Sequence, residues 1–154
     1  MSTAKIGKKH HILLLQGPNL NWLGKREPEL YGKVSAAELD DMLRKHAEKN
    51  SYKLTIFYTN SEGAALDRLY QAVEEGVDGL VMNPGGWSHA GHSLRYCLQG
   101  INLPYVEVHI RNQYKMKVVS TLADLAVGAV QGFGIDSYFL GIDAMLRVLA
   151  RTGK

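Results

Sequence analysis

Short apolar runs alternate along the chain with segments that carry apolar residues at helical spacing. The runs HILLLQ (11–16), KLTIFYTN (53–60), GLVMN (79–83) and YVEVHI (105–110) have the length of buried strands, and LAVGAVQG (125–132) is a candidate for a fifth. Strands that alternate with helices form parallel sheets covered by helices on both faces. The sequence therefore predicts a three-layer α/β protein with a five-stranded parallel sheet.

The segments between these runs have the pattern of amphipathic helices, at 35–49, 62–75, 88–98 and 137–150. The first opens with a capping box made by Ser35 and Glu38. Apolar residues recur at helical spacing in two of them: Leu39, Met42, Leu43 and Ala47 form a stripe on the first helix, and Leu66, Leu69, Tyr70 and Val73 have this spacing in the second.

The length and composition fit one domain, with 154 residues of which 45% are hydrophobic and 21% charged. We predict a single domain over residues 1–154, in which residues 1–10 form a flexible tail. The net charge of +3 is spread along the chain and gives no reason to expect a nucleic-acid partner. Since Cys97 is the only cysteine and no segment has the length of a signal sequence or membrane span, we expect a cytoplasmic protein without a membrane partner.

Polar side chains lie where three of the predicted strands end. Asn19 follows the first strand, Asn83 and His89 follow the third, and Glu107 and His109 end the fourth. Each has a simple structural explanation, since asparagines suit turns and a core histidine can bond to a neighbouring glutamate. Sites in parallel α/β sheets lie beyond the carboxyl ends of the strands, however, so the convergence of these residues favours a functional site there.

The segment GKREPELYGK (24–33) holds an arginine and a tyrosine between two glycines, with a proline between them. Glycine and proline disfavour a regular helix or a central strand, so we predict a mobile surface loop. In one interpretation Tyr31 packs on the body of the protein and Arg26 only solubilises the loop. In the other, the loop is a lid that brings both side chains over a ligand.

Three motifs resemble those of type II 3-dehydroquinate dehydratases. LLLQGPNLNWLGKREPELYG (13–32) is similar to the family's NGPNLNLLGxREPxxYG, NPGGWSHAGHSLR (83–95) to NPGxxxHxSxxxR, and PYVEVHIRN (104–112) to PxxEVHxSN. This resemblance implies a flavodoxin-like fold, assembly as a homododecamer built from trimers, and no metal or organic cofactor. It also implies the dehydration of 3-dehydroquinate to 3-dehydroshikimate in the shikimate or quinate pathway.

The resemblance also implies catalytic roles. Tyr31 would remove a proton alpha to the ketone, with Arg26 as its activator, and Asn19 would hold a water that stabilises the enolate. His109, oriented by Glu107, would protonate the leaving hydroxyl. A free tyrosine has a pKa of ~10 and is a poor base at neutral pH, but a nearby guanidinium favours the phenolate.

Substrate binding is implied for a second group: Asn83, His89, Gly85, Gly86, Ile110, Arg111 and Lys117. Several positions depart from the family's pattern: Ser61 and Ala64 in TNSEGA, Tyr96 in place of an aspartate, Arg111 in place of a serine, and a shortened segment at 113–118 in which Lys117 is the nearest match to an arginine. A guanidinium can bind a carboxylate through two hydrogen bonds, so Arg111 either takes over the substrate carboxylate or marks a different substrate.

Two other classes of function are compatible with these residues. The chain could be a diverged paralogue, a flavodoxin-like binding or scaffold protein that keeps the site without turnover or has an altered substrate. It could also bind phosphate or a nucleotide at the turn Gly85-Gly86, ahead of a helix. A metal site is not predicted, because His89 and His92 lack a clear third ligand.

Overall fold

The computed structural model describes residues 8–153, which contain one sheet of five parallel strands. The strands are β1 (His11–Gln16), β2 (Lys53–Tyr58), β3 (Gly79–Asn83), β4 (Tyr105–His109) and β5 (Gly128–Gln131), in the spatial order β2-β1-β3-β4-β5. This is the strand order of flavodoxin-like folds. The predicted fold class is therefore confirmed.

Residues 8–153 contain the α-helices α1 (Pro28–Tyr31), α2 (Ala36–Lys49), α3 (Glu62–Glu74), α4 (Trp87–Ala90), α5 (His92–Gly100) and α6 (Asp136–Thr152). The first five lie in the connections from β1 to β4, and α6 follows β5. Short 3-10 helices lie at Leu20–Trp22, Gln113–Met116 and Ala123–Leu125. The capping box ahead of α2 forms as predicted, with the Ser35 side chain accepting from the Glu38 N–H and the Glu38 carboxylate accepting from the Ser35 N–H.

Apolar side chains pack on both faces of the sheet, because alternate residues of a strand point to opposite faces. In β1, Ile12 and Leu14 pack in one core cluster with residues of α2 and α6, such as Leu43. Leu13 and Leu15 pack in the other cluster with residues of α3 and α5. All six residues of β1 are buried, which is the pattern of a central parallel strand.

The helices bury narrower stripes than the spacing of apolar residues suggested. Met42 of α2 is 41% exposed, and Tyr70 and Val73 of α3 are 52% and 46% exposed. In α3 the small residues Ala65 and Ala72 are buried instead. These three positions belong to the apolar spacing of the sequence but lie at the exposed edge of the helices, because the rotation of a helix about its axis depends on how closely it packs.

Two elements differ from the predicted loop and helix boundaries. The segment 24–33 contains the one-turn helix α1, which begins at Pro28, a residue that the first helical turn tolerates. The helix predicted after β3 is divided into α4 and α5 at Gly91, where a Cβ would lie 2.7 Å from the Trp87 carbonyl oxygen. The chain here passes too close to the preceding turn for a longer side chain.

The amino-terminal residues lie partly outside the described structure. Of the predicted tail, only Lys8–His10 fall within the described residues. Lys8 Nζ donates to Asp78 Oδ1 over 2.9 Å, and the His10 carbonyl accepts from the Lys53 N–H over 2.8 Å. None of the helices within residues 8–153 has the length and apolar character needed to cross a membrane.

The carboxyl ends of β1 and β3 touch each other. The Gly17 N–H donates to the Asn83 carbonyl over 2.9 Å, and a Cβ on Gly17 would lie only 2.5 Å from the Pro84 carbonyl oxygen. The chain leaves β1 and β3 towards opposite ends of the sheet, because the strand order reverses between them. In folds of this type, the crevice at that reversal is where ligands bind.

Candidate active site

A cavity of about 240 Å³ lies beyond the carboxyl ends of β1, β3 and β4. It is lined by Pro18, Asn19, Leu20, Leu23, Arg26, Tyr31, Asn83, Gly85, Gly86, His89, His109, Ile110, Arg111, Gln113 and Met116. The structure thus brings together all the site residues predicted from sequence except Glu107 and Lys117. Glu107 lies behind the cavity wall, fully buried.

Two guanidinium groups lie beside the ring of Tyr31, one from the segment 24–33 and one from the residues that follow β4. The guanidinium carbon of Arg26 lies 5.5 Å from the centre of the Tyr31 ring, and that of Arg111 lies 6.0 Å from it. Both distances are in the range of cation–π contacts. Tyr31 is half-buried and packs against the core cluster, as the first interpretation of the segment 24–33 expects. It also lines the cavity beside Arg26, and the role of this segment as a lid stays a prediction.

Arg26 also interacts with a neighbouring carboxylate. Its Nε lies 3.3 Å from Glu27 Oε2, in a pair whose side chains are both roughly half exposed. Glu27 itself has a left-handed backbone, with φ of 39°, immediately before Pro28. Within residues 8–153, no salt bridge involves Arg111, so its guanidinium is the cation of the cavity wall that is free for a ligand.

His109, the last residue of β4, lines the cavity and is hydrogen-bonded to the buried Glu107. Its Nε2 lies 2.5 Å from Glu107 Oε1, and the other oxygen, Oε2, accepts a hydrogen bond of 2.6 Å from the Tyr105 hydroxyl. Tyr105, Glu107 and His109 are all buried. Residues two apart in a strand point to the same face, which is why these three side chains meet.

Asn83 is fixed by hydrogen bonds on both sides of its amide. Its Nδ2 donates to the Tyr138 hydroxyl over 2.8 Å, and its Oδ1 accepts from the Gly85 N–H over 3.1 Å. Tyr138 of α6 donates in turn to Gln16 Oε1 over 2.9 Å. Asn83 therefore serves both as a turn residue and as part of the cavity wall, and its second amide hydrogen is available to a ligand.

Asn19 has a left-handed backbone, with φ of 68°, at the point where the chain leaves β1. Its N–H donates to Asn60 Oδ1 over 2.8 Å, while its side chain is exposed at the cavity. Asparagine tolerates this conformation better than most residues. Asn60 follows β2, and nothing in its sequence context indicated this supporting contact.

The turn after β3 lies against the turn after β1. Gly85 has φ of 53°, and a Cβ there would lie 2.9 Å from the Pro18 carbonyl oxygen. Glycine is therefore needed at this position both for backbone conformation and for space. The close approach of the two turns forms the floor of the cavity.

The structure does not bring Lys117 into the cavity wall. Lys117 follows the 3-10 helix Gln113–Met116, and Gln113 and Met116 line the cavity instead. Gln113 is buried, and its N–H donates to Gln131 Oε1 over 2.9 Å. Sequence reasoning missed these two residues because the shortened segment 113–118 has no pattern that predicts which side chains point inward.

The described wall of the cavity contains Arg26 and Arg111 but no aspartate or glutamate. Arg26 is paired with Glu27, whereas Arg111 has no carboxylate partner among the described residues, and this unpaired positive charge favours an anionic ligand. Within residues 8–153, no group of three or more histidine, cysteine, aspartate or glutamate side chains is placed to hold a metal ion. The arrangement is suited to proton transfer on a small anion.

The fold and this cavity together define an α/β enzyme whose site lies where the strand order reverses. The sequence model of the family described as Dehydroquinase class II matches residues 10–146. The chain belongs to this family.

Named relatives cover nearly the whole chain. A 3-dehydroquinate dehydratase of Herminiimonas arsenicoxydans is 44% identical over 142 residues, which are 90% of this chain and 98% of that protein. A catabolic 3-dehydroquinase 1 of Fusarium vanettenii is 36% identical, over 91% of this chain and 99% of its own. The crystal structure of a type II dehydroquinase from Butyrivibrio crossotus superposes with a TM-score of 0.87 at 31% identity, covering 90% of this chain and 99% of that one.

Proposed function

We infer that this chain is a hydro-lyase that dehydrates 3-dehydroquinate to 3-dehydroshikimate, by anti elimination through an enolate. The observation that carries the mechanism is the placement of Tyr31, Arg26, His109 and Arg111 around one cavity in a member of this family. No observation favours the alternatives of a scaffold protein or a nucleotide binder. The reaction belongs to the shikimate or quinate pathway.

In the first step, the Tyr31 phenolate removes the proton alpha to the ketone. The guanidinium carbon of Arg26 lies 5.5 Å from the centre of the Tyr31 ring, where its positive charge stabilises negative charge on the Tyr31 oxygen. Arg26 also pairs with Glu27. We propose that closure of the segment 24–33 over the substrate moves the Arg26 guanidinium from the Glu27 carboxylate to the Tyr31 oxygen. The Asn19 side chain holds a water against the enolate oxygen.

In the second step, His109 gives a proton to the leaving hydroxyl, which departs as water. Nε2 of His109 is directed at Glu107, so Nδ1 is the ring nitrogen left for the cavity. Among residues 8–153, no group hydrogen-bonds this Nδ1. Asn83 and His89 bind ring hydroxyls, and the turn at Gly85 and Gly86 forms the floor beneath the ring.

The substrate carboxylate is held at the end of β4. Arg111 lines the cavity without a carboxylate partner among the described residues, next to Ile110. A guanidinium is able to bind both oxygens of a carboxylate. We propose Arg111 as the carboxylate-binding residue and assign no role in the cavity to Lys117.

The direct test mixes the purified protein with 3-dehydroquinate and follows the absorbance of the conjugated enone in the product. We expect turnover without added metal or cofactor. If no enone forms at high protein concentration, the proposed activity is wrong. Retention of 3-dehydroquinate without turnover would then support a binding protein.

Replacing Arg111 by serine should raise KM with little change in kcat. The loss of a charge-assisted hydrogen bond is worth roughly 1.5–3 kcal/mol, which corresponds to a KM about 10- to 100-fold higher. Steady-state kinetics with 3-dehydroquinate measures both constants. The matched comparison is Lys117→Asn, which removes the other candidate cation while keeping a residue type that tolerates its φ of 58°.

The result of that comparison separates two explanations for Arg111. If KM rises in Lys117→Asn and not in Arg111→Ser, Lys117 rather than Arg111 binds the substrate carboxylate. Faster turnover of 3-dehydroquinate by Arg111→Ser would instead mean that the arginine adapts the cavity to a different substrate.

We also propose that the chain assembles as a homododecamer built from trimers. Large apolar side chains on its surface support association, among them Trp22 at 54%, Phe133 at 62% and Tyr96 at 75% exposure. Light scattering at micromolar concentration should report the mass of twelve chains. A monomer under these conditions would contradict the proposal.

A cytoplasmic location stays a prediction, supported by the free thiol of Cys97. Cell fractionation is the measurement that tests it, and recovery of the chain in another compartment would contradict it.

A further inference from the structure

The proposed reaction does not use Tyr105, although its hydroxyl donates a hydrogen bond to Glu107, the carboxylate that orients His109. Tyr105 begins β4 and is 2% exposed, while Glu107, two residues on, is fully buried. The Tyr105 hydroxyl donates to Glu107 Oε2 over 2.6 Å, and His109 contacts the opposite oxygen. The three side chains form a buried row that reaches the cavity only through His109.

We propose that Tyr105 is a positioning residue for catalysis: its hydroxyl keeps the negative charge on Glu107, and thereby keeps the shared proton on His109 Nε2. This proposal rests on the proposed function, in which His109 delivers a proton from Nδ1. No covalent step is added, and Tyr105 does not touch the substrate.

Glu107 is fully buried, so a negative charge on it depends on hydrogen-bond donors from the protein. An ionised carboxylate in a fully buried position is strongly disfavoured unless its oxygens accept hydrogen bonds. Within residues 8–153, the two oxygens of Glu107 have one donor each, Tyr105 and His109. Removing either donor leaves one oxygen of the buried carboxylate without a hydrogen-bond partner among the described residues.

Tyr105 is suited to act only as a donor. Burial, and then the negative charge of Glu107, raise the pKa of Tyr105 well above the value of a free tyrosine. The hydroxyl therefore keeps its proton throughout the range in which enzymes work. It supports the carboxylate without competing for the proton that Glu107 and His109 share.

The position of that shared proton decides how good an acid His109 is. With the proton on Nε2 and another on Nδ1, the ring is a cation, and the Nδ1 proton can pass to the leaving hydroxyl. If the proton moves to Glu107, the ring becomes a neutral imidazole, whose Nδ1 proton is a far weaker acid. The pair then holds the same number of protons, but it protonates the leaving hydroxyl more slowly.

The test is Tyr105→Phe, which keeps the buried ring and removes only the hydroxyl. We expect kcat for 3-dehydroquinate to fall about 10-fold, a part of the roughly 10²- to 10⁴-fold that a general acid contributes, with KM nearly unchanged. In protein with ¹⁵N-labelled histidine, the His109 Nε2 signal should move towards that of an unprotonated nitrogen. Loss of kcat with an unchanged Nε2 signal would reduce Tyr105 to a structural role and overturn the proposal.

Tyr52→Phe is the matched control. Tyr52 is also 2% exposed, and its hydroxyl lies 2.9 Å from Nδ1 of another histidine, His46, outside the cavity wall. This variant should shift the signals of His46 and leave both His109 and kcat as in the wild type. If it lowers kcat as much as Tyr105→Phe does, the effect is a general cost of removing a buried hydroxyl, and the proposal is wrong.

A double variant covers the case in which Tyr105→Phe does not fold. Glu107→Gln removes the buried charge, so in that background Tyr105→Phe should fold and should not change kcat further. An additional fall in kcat in the double variant would contradict action through the Glu107 charge. Absence of turnover in the wild type would instead contradict the proposed function, while the Nε2 signal would still test Tyr105.

Discussion

Tyr31→Phe should lower kcat by roughly 10²- to 10⁴-fold, the usual contribution of a positioned base, and should change the Kd for the substrate little. Phenylalanine keeps the ring that packs against the core cluster and lies beside Arg26 and Arg111. Only the oxygen that accepts the proton is lost. Steady-state kinetics gives kcat, and equilibrium binding of 3-dehydroquinate to the inactive variant gives its Kd.

Tyr114→Phe is the control for this experiment. Tyr114 lies in the 3-10 helix next to the cavity but is 67% exposed and does not line it, so its variant should retain full kcat. A wild-type rate in Tyr31→Phe would exclude Tyr31 as the base. A weaker Kd with an unchanged kcat would make Tyr31 a binding residue.

His109→Ala should lower kcat to a similar extent, because the hydroxyl would then leave without a proton from the protein. Alanine also leaves the buried Glu107 carboxylate with Tyr105 as its only donor among the described residues, so the free energy of unfolding should fall as well. Urea unfolding monitors that second effect separately from the kinetics.

A substrate analogue distinguishes the acid from the base. If the departing hydroxyl is replaced by a group that leaves without accepting a proton, the deficit of His109→Ala should shrink. The deficit of Tyr31→Phe should remain, because the proton alpha to the ketone must still be removed. Equal deficits of the two variants with both substrates would contradict the separate roles.

The sequence predicted the fold class well because the alternation of strands and helices is a local pattern. Each buried run, such as HILLLQ, needs a partner on both sides, and each amphipathic helix needs a sheet to cover. The exposures of Met42, Tyr70 and Val73 were not predictable in this way, because they depend on how each helix is rotated against the sheet.

The cavity wall was predictable where residues follow strand ends in recognisable motifs. Asn19, Asn83 and His109 are of this kind, since parallel strands end at one edge of the sheet. The contributions of Gln113 and Met116 were not, because the conformation of an irregular segment depends on contacts with distant residues such as Gln131.

The sequence by itself determined which chemical groups this protein possesses and, through strand periodicity, which of them share an edge. Only the tertiary structure decided how those groups pair. In the folded chain Arg26 contacts both Glu27 and the ring of Tyr31, and Arg111 lines the cavity. The Tyr105 hydroxyl donates to Oε2 of Glu107, the carboxylate oxygen that His109 does not contact. The physical reason is that spacing along the chain predicts only which face of a strand a side chain points to. A hydrogen bond or ion pair forms or fails over differences of a few tenths of an ångström, which only the packing of the whole fold sets.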